Sequence, residues 1–126
     1  MQLARVLVVD DDLETIQALA VLLKALGHEA QFAISGLGAI NCARKFKPDL
    51  VILDVHLPDL EGDKVARLIR FEPGLENVRI IAVSADDLTK ARALQAGCEA
   101  FHLKPINVTL LQQLLSSVAR FPARPA

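Results

Sequence analysis

Side chains able to handle a phosphoryl group stand at the ends of the apolar runs in this sequence. They are three acids after the first run, then an acid, a hydroxyl and an amine after later runs: Asp10, Asp11, Asp12, Asp54, Ser84 and Lys104. Carboxylates can bind a divalent metal or attack phosphorus, while hydroxyl and ammonium groups can neutralise phosphoryl oxygens. Their shared position predicts that they meet in one site.

The acids after the first run predict a site for a hard divalent cation. Carboxylates crowded into one crevice repel each other and raise their own pKa values unless a cation compensates. Oxygen ligands select a hard ion, and Mg²⁺ prefers one or two carboxylates, retained waters and a phosphate oxygen. The alternative is that these acids cap the first helix, and we expect that role for Asp12. The matching strand-end position of Asp54 favours metal binding for Asp10 and Asp11.

Asp54 is the candidate nucleophile of this site. A carboxylate beside a bound divalent ion can attack a phosphoryl donor and form an acyl phosphate, which needs little beyond positioning and charge neutralisation. Lys104 carries a compact charge on a flexible stem, and Ser84 offers a hydroxyl donor. Taken singly, Lys104 could be a surface lysine and Ser84 a turn residue. Their joint placement with Asp54 favours the site.

The elements that position these residues alternate regularly along the chain. The pattern predicts five strands, at Val6–Val9, Glu29–Ala33, Leu50–Leu53, Val78–Val83 and Ala100–Leu103. Helical spacing of apolar residues predicts five helices, including one over about Asp87–Ala96 and a last one capped by Asn107. Short loops and strict alternation indicate an α/β fold with a parallel sheet covered on both faces. Ligands bind such sheets at the carboxyl ends of the strands, where the candidate residues stand.

Composition bounds the class of protein. A chain of 126 residues fits one domain, and a hydrophobic content of 52% excludes intrinsic disorder. Fourteen Lys and Arg against 15 Asp and Glu give a net charge of −1. The chain therefore lacks the excess of basic residues that is typical of nucleic-acid-binding proteins. No apolar run approaches the roughly 20 residues of a membrane span, and Cys42 and Cys98 form no disulfide or metal pattern. We expect a cytoplasmic protein.

In combination, these motifs resemble the receiver domain of two-component response regulators. Four stretches in order carry the resemblance: Val6–Asp12 with its acids, Pro48–Pro58 followed by Gly62, Ile80–Ala85, and Ala96-Gly97 leading to Lys104-Pro105. It runs from about Leu3 to Ala119. The resemblance implies a flavodoxin-like, doubly wound five-stranded parallel sheet of order 2-1-3-4-5 with five helices. We expect this domain over residues 1–120 and a Pro/Ala-rich tail, or the start of a linker, over 121–126.

The resemblance also implies roles for single residues. Asp54 would be the phosphoacceptor, Ser84 the switch hydroxyl and Lys104 the phosphate-binding lysine. Phe101 would be the switch aromatic, in a form that lacks the hydroxyl of a tyrosine. The implied Mg²⁺ ligands are Asp10 (through water), Asp11, Asp54 and the backbone carbonyl of His56. The Lys104-Pro105 bond is typically cis in this family.

The implied function is a switch in two-component or phosphorelay signalling. The domain would take a phosphoryl group from a sensor histidine kinase or a histidine phosphotransfer domain, with only weak self-dephosphorylation and no metabolic turnover. A receiver scaffold that acts without phosphorylation stays an alternative. An aspartate-nucleophile phosphatase fits less well, because its motif needs Thr or Val where Glu14 stands. A flavodoxin-type cofactor module needs a hydroxyl-rich and Gly-rich loop where the three acids stand.

The last helix predicts a surface for a downstream protein. No charged residue lies between Pro105 and Ala119, and four leucines exceed what one apolar stripe requires: Leu110, Leu111, Leu114 and Leu115. Together with Phe101 and the Asp87–Ala96 helix, they predict a docking face on a monomer or weak, non-ionic dimer. The alternative is that all four leucines belong to the core.

Two further residues are candidates for tuning the lifetime of the phosphoryl group. His56 and Asp86 stand two positions after Asp54 and Ser84, the places that flank the approach of water in this family. A protonated histidine could pair with Asp86 across the site and shield phosphorus. The alternative is that both side chains point into solvent, where ion pairs are weak.

Overall fold

A computed structural model describes residues 4–118 of the chain. Five strands and five helices alternate along them. The strands are β1 (Arg5–Val9), β2 (Glu29–Ala33), β3 (Leu50–Asp54), β4 (Arg79–Ser84) and β5 (Ala100–Leu103). The helices are α1 (Leu13–Ala25), α2 (Gly36–Phe46), α3 (Gly62–Phe71), α4 (Lys90–Gln95) and α5 (Val108–Val118). All pairings are parallel and the order is β2-β1-β3-β4-β5, so the predicted fold is confirmed.

The central strands are apolar between their end residues because helices cover both faces of the sheet. Leu7 and Val9 of β1 face a core shared with α2, α3 and α4. Val6 and Val8, which alternate with them, face a second core shared with α1 and α5. Every residue of β3 is buried. A strand covered on both sides carries no polar alternation, which explains the continuous apolar runs of the sequence.

Helix starts largely follow the sequence signals. Asp12 accepts a hydrogen bond from the N–H of Glu14 at the start of α1, and Ser35 accepts one from Gly38 at the start of α2. Asn107 accepts one from the N–H of Leu110 at 2.7 Å, as predicted for α5. These side chains satisfy backbone donors that have no partner within the helix.

The fourth helix is shorter than predicted. The sequence pattern predicts it over about Asp87–Ala96, whereas α4 spans only Lys90–Gln95. The reason is local: the carboxylate of Asp86 accepts the N–H of Leu88 at 3.0 Å, which forms a turn where the helix would begin. Asp87 therefore belongs to the β4–α4 loop.

The apolar stripe of α3 is narrower than its sequence indicates. Apolar residues at helical spacing, Val65, Leu68 and Ile69, predict one stripe, but Leu68 is 37% exposed, and the buried residues of the helix are Gly62, Val65, Ala66 and Ile69. Within residues 4–118, none of the helices has the length and apolar character needed to cross a bilayer. The predicted tail over 121–126 lies outside the described residues.

Candidate active site

Asp54 is the last residue of β3 and lies at the carboxyl edge of the sheet. Its side chain is buried, and its Oδ1 accepts the backbone N–H of His56 at 3.1 Å. Burial raises the pKa of this carboxyl, and the charge of Asp10 acts in the same direction. The His56 N–H and the Lys104 ammonium lower the pKa but do not cancel the burial. Asp54 is thus a buried carboxyl group whose pKa lies above its ordinary value.

Lys104 links the two buried carboxylates of the site. Its Nζ lies 2.8 Å from an oxygen of Asp10 and 3.3 Å from Oδ2 of Asp54. Burial alone would lower the pKa of this ammonium, but the hydrogen bond with Asp10 and the charges of both acids outweigh that effect and raise it. The lysine follows β5, and its peptide bond to Pro105 is cis. The Lys104 ammonium therefore lies within contact distance of both buried carboxylates.

The three acids are suited to a hard divalent ion. Asp10, Asp11 and Asp54 can each place one carboxylate oxygen within 4.8 Å of the others. Asp10 and Asp54 are buried while Asp11 is exposed, which leaves one side of the cluster open to solvent. All donors are oxygens, the ligand type that Mg²⁺ requires. Asp12 lies outside the cluster and caps α1, as predicted: its carboxylate accepts the Thr15 hydroxyl at 2.8 Å.

Ser84 and Phe101 occupy the neighbouring strands. Ser84 ends β4 and is fully buried, and its Oγ accepts the N–H of Asp86 at 3.3 Å. Its own proton remains available for another acceptor. Phe101 on β5 pairs with Ala82 in the sheet and packs, half-buried, against the core that includes α3 and α4. The fold brings the Ser84 hydroxyl to the same edge of the sheet as Asp54. The Phe101 ring belongs to β5, which lies next to β4 at the end of the sheet.

His56 and Asp86 face each other at the rim. Their side chains approach to 3.9 Å between Nε2 and Oδ2, and they are 49% and 48% exposed. The contact is a loose, half-solvated one. The two loops that follow β3 and β4 thus bring these side chains together, although they are 30 positions apart in the sequence.

An apolar cavity of about 180 Å³ adjoins the site. It lies between α1 and the connection from β5 to α5, and Asp10, Asp54 and Lys104 form its polar end. Its apolar walls include Val8, Leu19, Leu22, Ile52 and Ile106. These walls limit the access of solvent to Asp10 and Asp54, and the low local dielectric strengthens the attraction between the acids and the lysine.

Sequence reasoning missed the residue that anchors the loop after Asp54. Asp59 accepts the N–H groups of Gly36 and Leu37, and these two hydrogen bonds lower the pKa of its carboxyl. Gly62 closes the same loop, because a Cβ there would lie 2.4 Å from the Cα of Val55. The Gly62 signal is visible in the sequence. The partner of Asp59 is 22 to 23 residues away, and no local pattern indicates it.

Comparison with known proteins gives a consistent result. The family model of the response regulator receiver domain matches residues 6–116. The polar-differentiation response regulator DivK of Brucella ovis is 32% identical over 114 residues, which cover 89% of this chain and 93% of that protein.

Solved structures agree with this match. The receiver domain of a sensor histidine kinase from Pseudomonas aeruginosa, determined with a magnesium ion coordinated in its active-site cleft, superposes with a TM-score of 0.86. It is 27% identical and covers 94% of this chain and 99% of its own. The chemotaxis response regulator CheY4 of Vibrio cholerae gives a TM-score of 0.85 at 26% identity, over 93% of this chain and 99% of its own.

Proposed function

Since the chain belongs to the response regulator receiver domain family, we propose that it is a phosphoacceptor switch that receives a phosphoryl group on Asp54. The donor is the histidine of a sensor histidine kinase or of a phosphotransfer domain. The observation that carries the proposal is the grouping at one sheet edge: a buried Asp54, Lys104 at 3.3 Å, and two further acids. We assign the receiver domain to residues 1–120 and a tail or linker start to 121–126.

The transfer follows from this grouping. A carboxylate oxygen of Asp54 attacks phosphorus as the bond from phosphorus to the donor nitrogen breaks, and an acyl phosphate remains on the chain. Lys104 and the hydroxyl of Ser84 neutralise the phosphoryl oxygens. Asp10 (through water), Asp11, Asp54 and the backbone carbonyl of His56 would hold Mg²⁺, which supplies further charge neutralisation when it is bound.

The signal is read at the surface formed by α4, β5 and α5. Leu111 and Leu115 are buried and the half-buried Leu114 packs against the same core, so much of the leucine set belongs to the core; Leu110 is half-buried. Four more apolar side chains on and near this surface are exposed: Leu88, Leu94, Leu103 and Val108. Ser84 and Phe101 connect the phosphoryl site to this face. A downstream protein, or a second copy in a weak dimer, binds here.

The protein acts as a switch and not as a metabolic enzyme. It phosphorylates itself from a donor and loses the group slowly. Both cysteines, Cys42 and Cys98, are free, which agrees with action in the reducing cytoplasm.

The test is phosphorylation by acetyl phosphate with MgCl₂, followed by intact-protein mass spectrometry. Wild type should gain the mass of one phosphoryl group, and Asp54→Asn should gain none. Asp87→Asn is the matched control, because it removes an exposed acid from the β4–α4 loop and should label as wild type does. Labelling of Asp54→Asn would contradict the assignment of the acceptor. A wild type that never labels would favour a scaffold that acts without phosphorylation.

A further inference from the structure

The loop between β3 and α3, residues 55–61, is tied to the start of α2 by one carboxylate. Asp59 accepts the N–H of Gly36 at 2.7 Å through Oδ1 and the N–H of Leu37 at 3.0 Å through Oδ2. The next amide of the helix, that of Gly38, is taken by the Ser35 hydroxyl. The first amides of a helix have no partner within the helix, and its dipole favours an anion there. Asp59 therefore acts as a cap for the N-terminus of α2, although it lies more than 20 residues away in the sequence.

The backbone of α2 is adapted to this contact. A Cβ at Gly36 would lie 2.9 Å from the Cβ of Leu60 and 2.9 Å from a methyl group of Val65. Only the lack of a side chain at Gly36 lets the loop come this close. Asp59 itself is exposed, so packing does not hold its carboxylate in place; the two hydrogen bonds do.

The same loop carries groups that touch the phosphoacceptor. The N–H of His56 donates to Asp54, and the carbonyl of His56 is a proposed Mg²⁺ ligand. The ends of the loop are joined, since Gly62 donates to the carbonyl of Val55 at 2.8 Å and His56 bridges to Glu61. Leu57 and Leu60 of this loop pack against the core, and the hydrogen bonds of Asp59 add a polar contact that ties the loop to α2.

We propose that Asp59 is a positioning residue for magnesium binding and phosphoryl transfer at Asp54. By holding the loop against α2, it fixes the backbone of His56 relative to the acid cluster. This inference rests on the proposed function of the site. Groups that orient metal ligands typically change metal affinity about 10-fold to 100-fold. Because Asp59 acts through backbone and is exposed, we expect the Mg²⁺ dissociation constant to rise about threefold to tenfold on its removal.

The first experiment compares Asp59→Asn with Glu61→Gln by calorimetric titration with MgCl₂. Both variants remove one negative charge from the same loop at nearly constant shape, so the long-range effect of charge on Mg²⁺ is matched. Glu61 is exposed, and its carboxylate lies 3.7 Å from the guanidinium of Arg92. Asp59→Asn should weaken Mg²⁺ binding about threefold to tenfold, and Glu61→Gln by less than about twofold. Asp59→Glu, which keeps the charge and both acceptor oxygens, should recover part of the affinity.

The second experiment follows hydrogen exchange at the Gly36 and Leu37 amides. Coupling between two sites is reciprocal, so Mg²⁺ should slow exchange of these amides in wild type and leave it unchanged in Asp59→Asn. Urea unfolding without Mg²⁺ separates this effect from a general loss of stability.

Equal Mg²⁺ dissociation constants for Asp59→Asn and Glu61→Gln would overturn the inference and leave Asp59 as a helix cap alone. A wild type that neither binds Mg²⁺ nor accepts a phosphoryl group would instead overturn the proposed function, and the inference with it.

Discussion

Lys104 is the residue on which the charge balance of the site depends. Two buried carboxylates at one sheet edge would be unfavourable if both were ionised without a counter-charge. The ammonium contacts both of them, at 2.8 Å and 3.3 Å. In the proposed function, an incoming phosphoryl group would therefore meet a positive charge that is already in place. The charge balance of the site thus depends on the contacts of one ammonium group with two carboxylates, which single substitutions can test.

We predict that His56 lengthens the lifetime of the phosphoryl group on Asp54. If its ring shields phosphorus together with Asp86, His56→Ala should shorten the half-life of the acyl phosphate severalfold. The measurement is the decay of labelled phosphoprotein after the donor is removed. Asp86→Asn tests the pair: the loose 3.9 Å contact predicts a smaller effect than loss of the ring. An unchanged half-life in His56→Ala would show that the ring does not gate water.

At the scale of elements, α5 and β5 carry leucines with different tasks. Leu111 of α5 is fully buried, whereas Leu103 at the end of β5 is 54% exposed. The buried Leu111 contributes to the core and helps to hold α5 on the sheet. The exposed Leu103 contributes little to the core, so in the proposed function its side chain is available to a partner.

The matched pair Leu111→Ala and Leu103→Ala should separate these tasks. Leu111→Ala should lower the free energy of unfolding by about 2–5 kcal/mol, because it leaves a cavity in the core. Leu103→Ala should change it by no more than about 0.5 kcal/mol. Urea denaturation measures both. A loss for Leu103→Ala as large as that for Leu111→Ala would contradict a docking role for the exposed side chain.

At the scale of the whole molecule, the site lowers the stability of the fold that carries it. The pKa of Asp54 is raised above its ordinary value of 3.8. Below that value the carboxyl is neutral in both the folded and the unfolded chain and costs nothing. As the pH rises through 3.8 toward the raised pKa, the unfolded chain loses its proton first, so folding becomes less favourable. The loss is complete once the pH exceeds the raised pKa of the folded chain.

Asp54→Asn should therefore unfold at a higher urea concentration than wild type at neutral pH, in the presence of EDTA. Lys104 keeps a partner in the variant, since its shorter contact is with Asp10. The gain should shrink as the pH falls toward 3.8, where the wild-type carboxyl takes up its proton in both states. A variant that is less stable than wild type throughout this pH range would contradict the argument.

The grouping of the candidate site residues and the order of the elements could be predicted from the sequence alone. A buried parallel strand needs a continuous apolar run, so the polar residue that ends it marks the functional edge of the sheet. This pattern predicts Asp10, Asp54, Ser84 and Lys104 as site residues, and the structure brings them to one edge. The strand order and the family could also be predicted, from motifs that stand at fixed positions relative to strand ends.

Other features were decided only by the tertiary structure. These include the attachment of Asp59 to α2, the 3.9 Å approach of His56 and Asp86, and the split of the leucine set into buried and half-buried members. Arg70 is a further case, since its guanidinium donates to the carbonyls of Val78 and Gly97. Each of these contacts joins residues that are far apart in the sequence, and it forms only because the folded chain places one loop beside another loop or a helix. Local residue patterns encode only the beginning, the end and the apolar face of each element, so they do not indicate which elements will lie side by side.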